Sequence, residues 1–207
     1  MIRDHQKIMA ITQNIKDKNM KEEILNILQN YLEIFKNEKN RQSQFLEYLN
    51  NHKDVDITDW NNFDGHIVSS GFLYALKEKR FLVLYHKDQK MYLYPGGHID
   101  KEDKNILEAA MREVREETGI SDFKQIKIQN NPLIPIDIDT HKIPYNERLD
   151  LPEHYHFDFR YLFVIESIEK ITIDQDESSE YKWINMEELK KLSHYGMVLE
   201  KIEKIIK

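Results

Sequence analysis

Cysteine is absent from the 207 residues, which removes disulfides, thiol nucleophiles and cysteine-ligated zinc or iron–sulfur centres together. Any metal held by this chain must sit on carboxylates, histidines or carbonyls. Glycine and proline are scarce, with 6 and 5 residues, and neither occurs before Gly65, so regular elements should outweigh elaborate loops. No apolar run approaches the ~18 residues of a membrane span, and the charged opening Met1-Ile2-Arg3-Asp4 lacks the apolar core of a signal peptide. These absences place the protein in the cytoplasm with no membrane partner. Basic residues are the minority, Lys+Arg 30 against Asp+Glu 37 for a formal charge of -7, which argues against nucleic acid as the main partner. The chain does hold 40% hydrophobic residues, 9 Phe and 11 Tyr among them, enough to build a core and to exclude disorder.

Periodicity divides the sequence in two. Over Lys21 to Lys36, Ile24, Ile27, Leu28, Tyr31, Leu32 and Phe35 recur at helical spacing, with Glu22 and Glu23 in the first turn where the helix dipole favours negative charge. A further helix from Arg41 to Asn50 carries Phe45, Leu46 and Leu49. Their apolar stripe must be buried, either against the rest of the chain or across a homodimer. From Gly65 the character changes to short β-rich runs, so residues 1–58 read as a helical extension and 59–207 as the main domain. That domain opens with a hairpin, 67–76 and 80–85, then a short run Met91–Tyr94, the turn Pro95-Gly96-Gly97, and a helix from Asp103 to Thr118 stopped by Gly119. Later strands are expected at 125–128, 134–140, 155–166 and 181–184, with closing helices at 186–192 and 196–207. This is a mixed α/β pattern.

In Arg112-Glu113-Val114-Arg115-Glu116-Glu117-Thr118-Gly119 the glutamates fall at i, i+3 and i+4, on one face of the helix. Leu107, Ala110, Met111, Val114 and Thr118 lie on the other side, so the apolar face packs and the glutamate face looks outward. A bare E-x-x-E-E is most often a solvated face. A preceding strand, a Pro-Gly-Gly turn and a short loop instead hold these glutamates beside exposed backbone carbonyls, hard oxygen ligands suited to Mg²⁺ or Mn²⁺.

At these residues the sequence resembles the Nudix hydrolase family, whose motif reads G-x5-E-x7-R-E-U-x-E-E-x-G-U with U apolar. Arg112, Glu113, Val114, Glu116, Glu117, Gly119 and Ile120 match its second half. The first half departs: the sixth residue after Gly97 is Asp103 rather than Glu, and eight residues rather than seven precede Arg112. Asp103 or Glu102 would then take the place of the loop carboxylate. The resemblance covers about residues 60 to 200 and implies a Nudix-like α/β/α sandwich around a mixed sheet, preceded by the helical segment. It further implies that Glu116 and Glu117 ligate divalent metal, with Glu113 a ligand or base, a Gly96 or Gly97 carbonyl adding a contact, and Arg112 orienting a glutamate. Family members also use an acidic residue ahead of a Trp-bearing strand; Glu177, with Glu180 behind it, precedes Trp183 here.

Strict alternation in His154-Tyr155-His156-Phe157-Asp158-Phe159-Arg160-Tyr161 puts His154, His156, Asp158 and Arg160 on one face of a strand. Asp137, Asp139 and His141 alternate in the same way, and His66 can join them. Two such polar faces line either a substrate cleft, with His141, His154, His156, Asp158 and Arg160 as its groups, or a solvated sheet surface. A zinc site on His141, His154, His156 and Asp158 is a third, weaker reading. The aromatics Trp60, Phe63, Tyr92 and Tyr94 carry no assigned role.

The resemblance makes the chain an Mg²⁺-dependent pyrophosphohydrolase acting on a small nucleoside diphosphate derivative, with ADP-ribose or nucleotide-sugar types favoured. The alternatives are a nucleoside triphosphate pyrophosphohydrolase and a Nudix-fold module without catalysis. An isomerase of isopentenyl diphosphate on the same scaffold relies on a Cys nucleophile that this chain lacks.

Overall fold

A computed structural model describes residues 20–192 and 195–206; the N-terminal reading for residues 1–19 lies outside them. The chain enters through helix α1, residues 20–34, a 3₁₀ turn at Lys36–Glu38, and α2, Ser43–Asn51. An eight-stranded mixed sheet follows: β1 His66–Ala75, β2 Arg80–His86, β3 Met91–Leu93, β4 Gly96–His98, β5 Lys124–Gln125, β6 Asp137–Ile143, β7 His154–Ile165 and β8 Ser178–Ile184. Helix α3, Ile106–Thr118, lies between β4 and β5, and α4, Met186–Leu189, and α5, Val198–Ile206, close the fold.

The centre of the sheet is the parallel pair β1 and β7, in register from His66 against His156 to Ala75 against Ile165. β1 is buried along its whole length, as expected where both faces are covered. On one face lie α3 and α2. Gly71 permits the approach of α3, since a Cβ there would fall 2.5 Å from Phe163 and 2.9 Å from Val114; Phe45 of α2 stacks on Phe157 at 4.6 Å. The opposite face carries the C-terminal segment, with Tyr195 against Phe72 and Tyr94. This is the expected α/β/α sandwich.

The apolar stripe of α1 joins the same core as the sheet: Ile24, Ile27, Leu28 and Tyr31 are buried, with Leu32 and Phe35 packed at its margin. Polar groups fix this contact at the β6 edge. Asp137 receives Arg41, Lys201 of α5 at 2.7 Å and Arg160 at 3.3 Å. Glu38 binds Tyr31, Arg41 and Lys201, while Arg160 also reaches Asp158 at 3.0 Å and Asp139 at 2.7 Å. Burial works against the charge on Asp137, yet Lys201, Arg160 and Arg41 hold its pKa below the ordinary range.

Several boundaries differ from the expectation, among them the start of β8, which is Ser178 rather than 181, and three have a local cause. Helix α3 begins at Ile106 rather than Asp103, because Asn105 caps it by accepting from Glu108 N–H at 2.8 Å and Asp103 is engaged in the loop. β5 stops at Gln125 because the chain turns through left-handed Gln129 and Asn130. β6 starts at Asp137, just after Pro135, which has no N–H for a ladder. Gly119 ends α3 in the left-handed region, φ 72°, as anticipated. Among the described residues no helix is long and apolar enough to cross a membrane.

Arg160→Met keeps most of the side-chain volume and leaves Asp137, Asp139 and Asp158 short of one buried cation. The expected cost is about 3–5 kcal/mol, read from urea unfolding followed by circular dichroism. A cost below about 1 kcal/mol would show that the remaining cations suffice.

Candidate active site

Arg112, at the midpoint of α3, organises the carboxylates around it. Its Nε and Nη2 donate to Asp103 at 3.1 and 2.9 Å, Nη1 donates to Glu113 at 2.8 Å and Glu116 at 2.9 Å, and Nη2 also donates to the His98 carbonyl at 2.8 Å. Burial disfavours the guanidinium charge, but Asp103, Glu113 and Glu116 more than offset this and hold its pKa up. Of the two loop carboxylates, Asp103, 5% exposed, is the one paired with Arg112, whereas Glu102 is exposed. The extra loop residue is absorbed by a turn in which Asp100 N–H donates to Asp103 at 2.8 Å.

The glutamates do not share one outward face. Glu116 is exposed, but Glu113 and Glu117 are buried, 9% and 6% exposed, against β4. The reason lies in the two glycines: Gly96 N–H donates to Glu117 Oε1 at 2.6 Å, and a Cβ on Gly97 would sit 2.7 Å from Glu113 Oε1. Both carboxyls are driven toward their neutral forms, chiefly by burial. Glu113 is pushed up to about 7, with Arg112 opposing and Glu177 and Glu116 adding repulsion. Glu117 is pushed well up, with Glu113, Glu177 and Asp174 repelling it.

Glu177 therefore stands at the cluster, on the turn before β8, its own pKa raised by burial and by Asp174, Glu116, Asp176 and Asp88. Glu180 instead bonds Tyr92. Asp174 was not singled out from the sequence; its nearness to Glu117 comes from the fold, and an acid in an acidic turn carries no distinguishing local mark.

The polar strand faces also meet. β6 and β7 pair Asp137 with Arg160, Asp139 with Asp158 and His141 with His156, and β1 sets His66 beside His156. Asp158 and Arg160 are 3% and 4% exposed. Asp158 accepts from Ser70 Oγ at 2.6 Å, Tyr94 at 2.9 Å and Arg160, so both are engaged inside the sheet face. The histidines are nearer its rim: His141 bonds Asp139 at 3.0 Å, and His154 bonds the Pro152 carbonyl at 2.8 Å. His98, which sequence reasoning missed, joins them because β4 pairs Val68 with His98 and turns that ring onto this face. Its signal was the alternation Gly97, His98 immediately after the Pro-Gly turn.

A family model for the NUDIX domain matches residues 64–200. The chain belongs to the NUDIX family. Among NUDIX relatives it is 36% identical over 95 residues to a Lactococcus lactis protein named "Probable DHNTP pyrophosphohydrolase", a match covering 46% of this chain and about half, 52%, of that protein's length. It is 31% identical over 137 residues to "Phosphatase NudJ" of Shigella boydii, covering 64% of this chain and 76% of that one. The solved dihydroneopterin triphosphate pyrophosphohydrolase of E. coli superposes with a TM-score of 0.52 at 19% identity, over 68% of this chain and 94% of that one, and shares the fold.

The raised pKa of Glu113 has a stability consequence. Below about 4.5 it is protonated folded and unfolded; between there and about 7 the folded state keeps a proton the unfolded chain releases, so the cost of its charge grows with pH and is complete above 7. Roughly 3 kcal/mol is involved. Glu113→Gln should therefore unfold at a higher temperature than the parent at pH 8 without added metal, the difference fading by pH 5; equal curves at both pH values would contradict the buried, strained carboxylate. Gly97→Ala should displace Glu113 at modest stability cost, while in Gly96→Ala the new Cβ meets the Ser70 backbone at 2.7 Å and loosens β4 from β1; thermal melts of the two variants make the comparison.

Proposed function

We propose that the protein hydrolyses a phosphoanhydride bond in a nucleoside diphosphate derivative, using Mg²⁺ or Mn²⁺ held at α3. The observation that carries this is the carboxylate cluster: Asp103, Glu113 and Glu116 bind Arg112, and Glu117, Glu177 and Asp174 add like charge beside them, with Asp103, Glu113 and Glu117 buried. Burying so much like charge is costly unless a cation arrives to balance it. The hard oxygen donors and the space left by the missing Gly97 side chain fit a small divalent ion. Glu116, Glu117 and Glu113 would hold it, with the Gly97 carbonyl alongside. When bound, such an ion neutralises diphosphate charge and activates water.

The residues of the chain supply the rest. Arg112 keeps Glu113 and Glu116 in place through charge-assisted bonds, and Asp103 in turn fixes the guanidinium plane. Glu177, raised in pKa by partial burial of its carboxyl and then by its acidic neighbours, is the proton acceptor from attacking water in this reading. The histidine face, with His141, His154 and His156 near its rim, takes the remainder of the substrate, and Asp158 and Arg160 steady that face from beneath. Within the helical extension, residues 20–58 brace the β6 edge through Tyr31, Arg41 and Gln42.

ADP-ribose or a nucleotide sugar is the favoured substrate type. A triphosphate is the second reading, supported by the dihydroneopterin triphosphate name of a relative. The test is product analysis with Mg²⁺ across ADP-ribose, nucleotide sugars, dinucleotides and nucleoside and pterin triphosphates, with Glu116→Gln alongside. One class should be cleaved, and the variant, whose side chain is exposed and leaves the core untouched, should lose at least about 100-fold in turnover, near 3 kcal/mol of barrier, with an unchanged melting curve. Unaltered turnover in a folded Glu116→Gln protein would remove the proposal, and binding without turnover across the panel would favour a module without catalysis.

A further inference from the structure

Five imidazoles crowd the rim of the sheet face opposite α3. The ring centres of His66 lie 5.0 Å from His98, 4.7 Å from His156 and 4.9 Å from His154, and His141 is 5.6 Å from His156. Three of these rings converge further: one nitrogen each from His66, His98 and His156 lies within 4.8 Å of the other two.

His66 gives the cluster a direction. Its Nδ1 is 3.2 Å from the Asn62 carbonyl, which can only accept, so Nδ1 carries the hydrogen. Nε2 then presents a lone pair, yet this nitrogen is buried, on a side chain 1% exposed, and has no hydrogen-bond partner. Buried polar atoms without partners are rare and call for an explanation. Burial also keeps this ring neutral, its pKa lowered to about 4, with His98 and His154 adding to the effect, and it lowers that of His156 as well. Neutral imidazole is the form that binds metal.

We propose that His66, His98 and His156 form a three-histidine site for a zinc-class transition metal, distinct from the carboxylate site on α3. Imidazole nitrogen suits zinc, copper, cobalt or nickel, whereas the oxygen-rich cluster suits magnesium. A tetrahedral ion about 2.0–2.1 Å from each nitrogen brings the nitrogens to about 3.3 Å from one another, a contraction that rotations of the two outer rings supply. His66 has the carbonyl partner at its second nitrogen that metal-bound histidines require. His98 is exposed and provides the entrance. The zinc reading anticipated from sequence on His141, His154, His156 and Asp158 is thereby redrawn: the nitrogens that converge belong to His66, His98 and His156, Asp158 is occupied by Ser70, Tyr94 and Arg160, and His154 instead sets its Nε2 3.1 Å from Nε2 of His156, a contact that metal binding through that nitrogen would replace. The site also adjoins the carboxylate cradle, because the His98 carbonyl accepts from Arg112.

The test uses the tag-free full chain, stripped with a chelator and returned to excess Mg²⁺, then titrated with Co²⁺ while the visible absorption is followed, with bound metal counted by mass spectrometry. One Co²⁺ per chain should bind with the intense bands of a tetrahedral site and be displaced by Zn²⁺. His98→Ala, on an exposed side chain, and His156→Gln should each weaken binding at least about tenfold, since even partners of a ligand are worth that much. Glu116→Gln should leave the spectrum and the affinity as they were, so failure of the hydrolase reading does not touch this one. Absence of tetrahedral bands, an unchanged affinity in His98→Ala, or loss of the Co²⁺ spectrum in Glu116→Gln would each overturn the proposal.

Discussion

Everything around α3 is arranged by one constraint, the need to hold carboxylates together that repel one another. Arg112 meets it with a single guanidinium whose five hydrogens are shared among Asp103, Glu113, Glu116 and the His98 carbonyl. Its planar fork can do this where a lysine's point charge cannot. The compensation is incomplete, because among the described residues Glu117 accepts from the Gly96 N–H and meets no cation. The site is thus strained in a defined sense: burial and like charge oppose ionisation of Glu113 and Glu117, and the fold tolerates that because the rest of α3 is well packed through Ile106, Ala110 and Val114. Stability given up at a site and recovered in the core is the ordinary pattern for functional residues.

The recovery has a second component at the β6 edge of the sheet. Asp137 and Glu38, each 1% exposed, sit among Arg41, Arg160, Lys201 and the Tyr31 hydroxyl. Here cations and anions nearly balance, in contrast to the α3 cluster. The partners come from α1, the 3₁₀ turn, β6, β7 and α5, so the network specifies which helix meets which strand edge. Lys201 adds its ammonium over the rings of Tyr31 and Phe35, at 4.9 and 4.3 Å. An edge strand left bare would invite pairing with another chain; β6 is instead covered by α1 and the 3₁₀ turn. The alternative burial of that apolar stripe, across a homodimer, is not needed to hide Ile24, Ile27, Leu28 and Tyr31.

The fold was legible where periodicity and punctuation agree. The α1 stripe, the hairpin into β2, the αL stop at Gly119 and the alternation of β7 all follow from spacing and residue type. The helix start was misplaced because Asp103 looks like an N-cap and is in fact an ion-pair partner nine residues from Arg112. The glutamate face was read as outward because a helical wheel records angles and not the presence of a glycine strand beside it. Asp174 and His98 escape the sequence reading for different reasons: Asp174 lies ahead of an acidic turn and carries no distinguishing local mark, and His98 ends a three-residue strand whose alternation is too brief to establish a period. Asp158 and Arg160 had the right face assigned, but one strand's alternation cannot distinguish a face that meets solvent from one closed over by Tyr94 and Tyr195.

β4 is where these threads join. It is three residues long, yet alternation along it sends Gly97 toward Glu113 on one face and the His98 ring toward His66 and His156 on the other. Gly97 is required on the first face because a side chain would occupy the space that Glu113 fills between strand and helix, and Gly96 is required because a Cβ would run into Ser70 of β1. The histidine is admitted on the second because Val68, its partner in β1, leaves room at the sheet's rim. The backbone between them is held by Arg112 at the His98 carbonyl and by Glu117 at the Gly96 N–H. A displacement of β4 by a few tenths of an ångström therefore moves the carboxylate cradle and the histidine cluster together, and whatever steadies one face steadies the other. In a sheet whose two faces are otherwise insulated by a packed core, such a strand is the shortest mechanical path between two groups of ligating side chains.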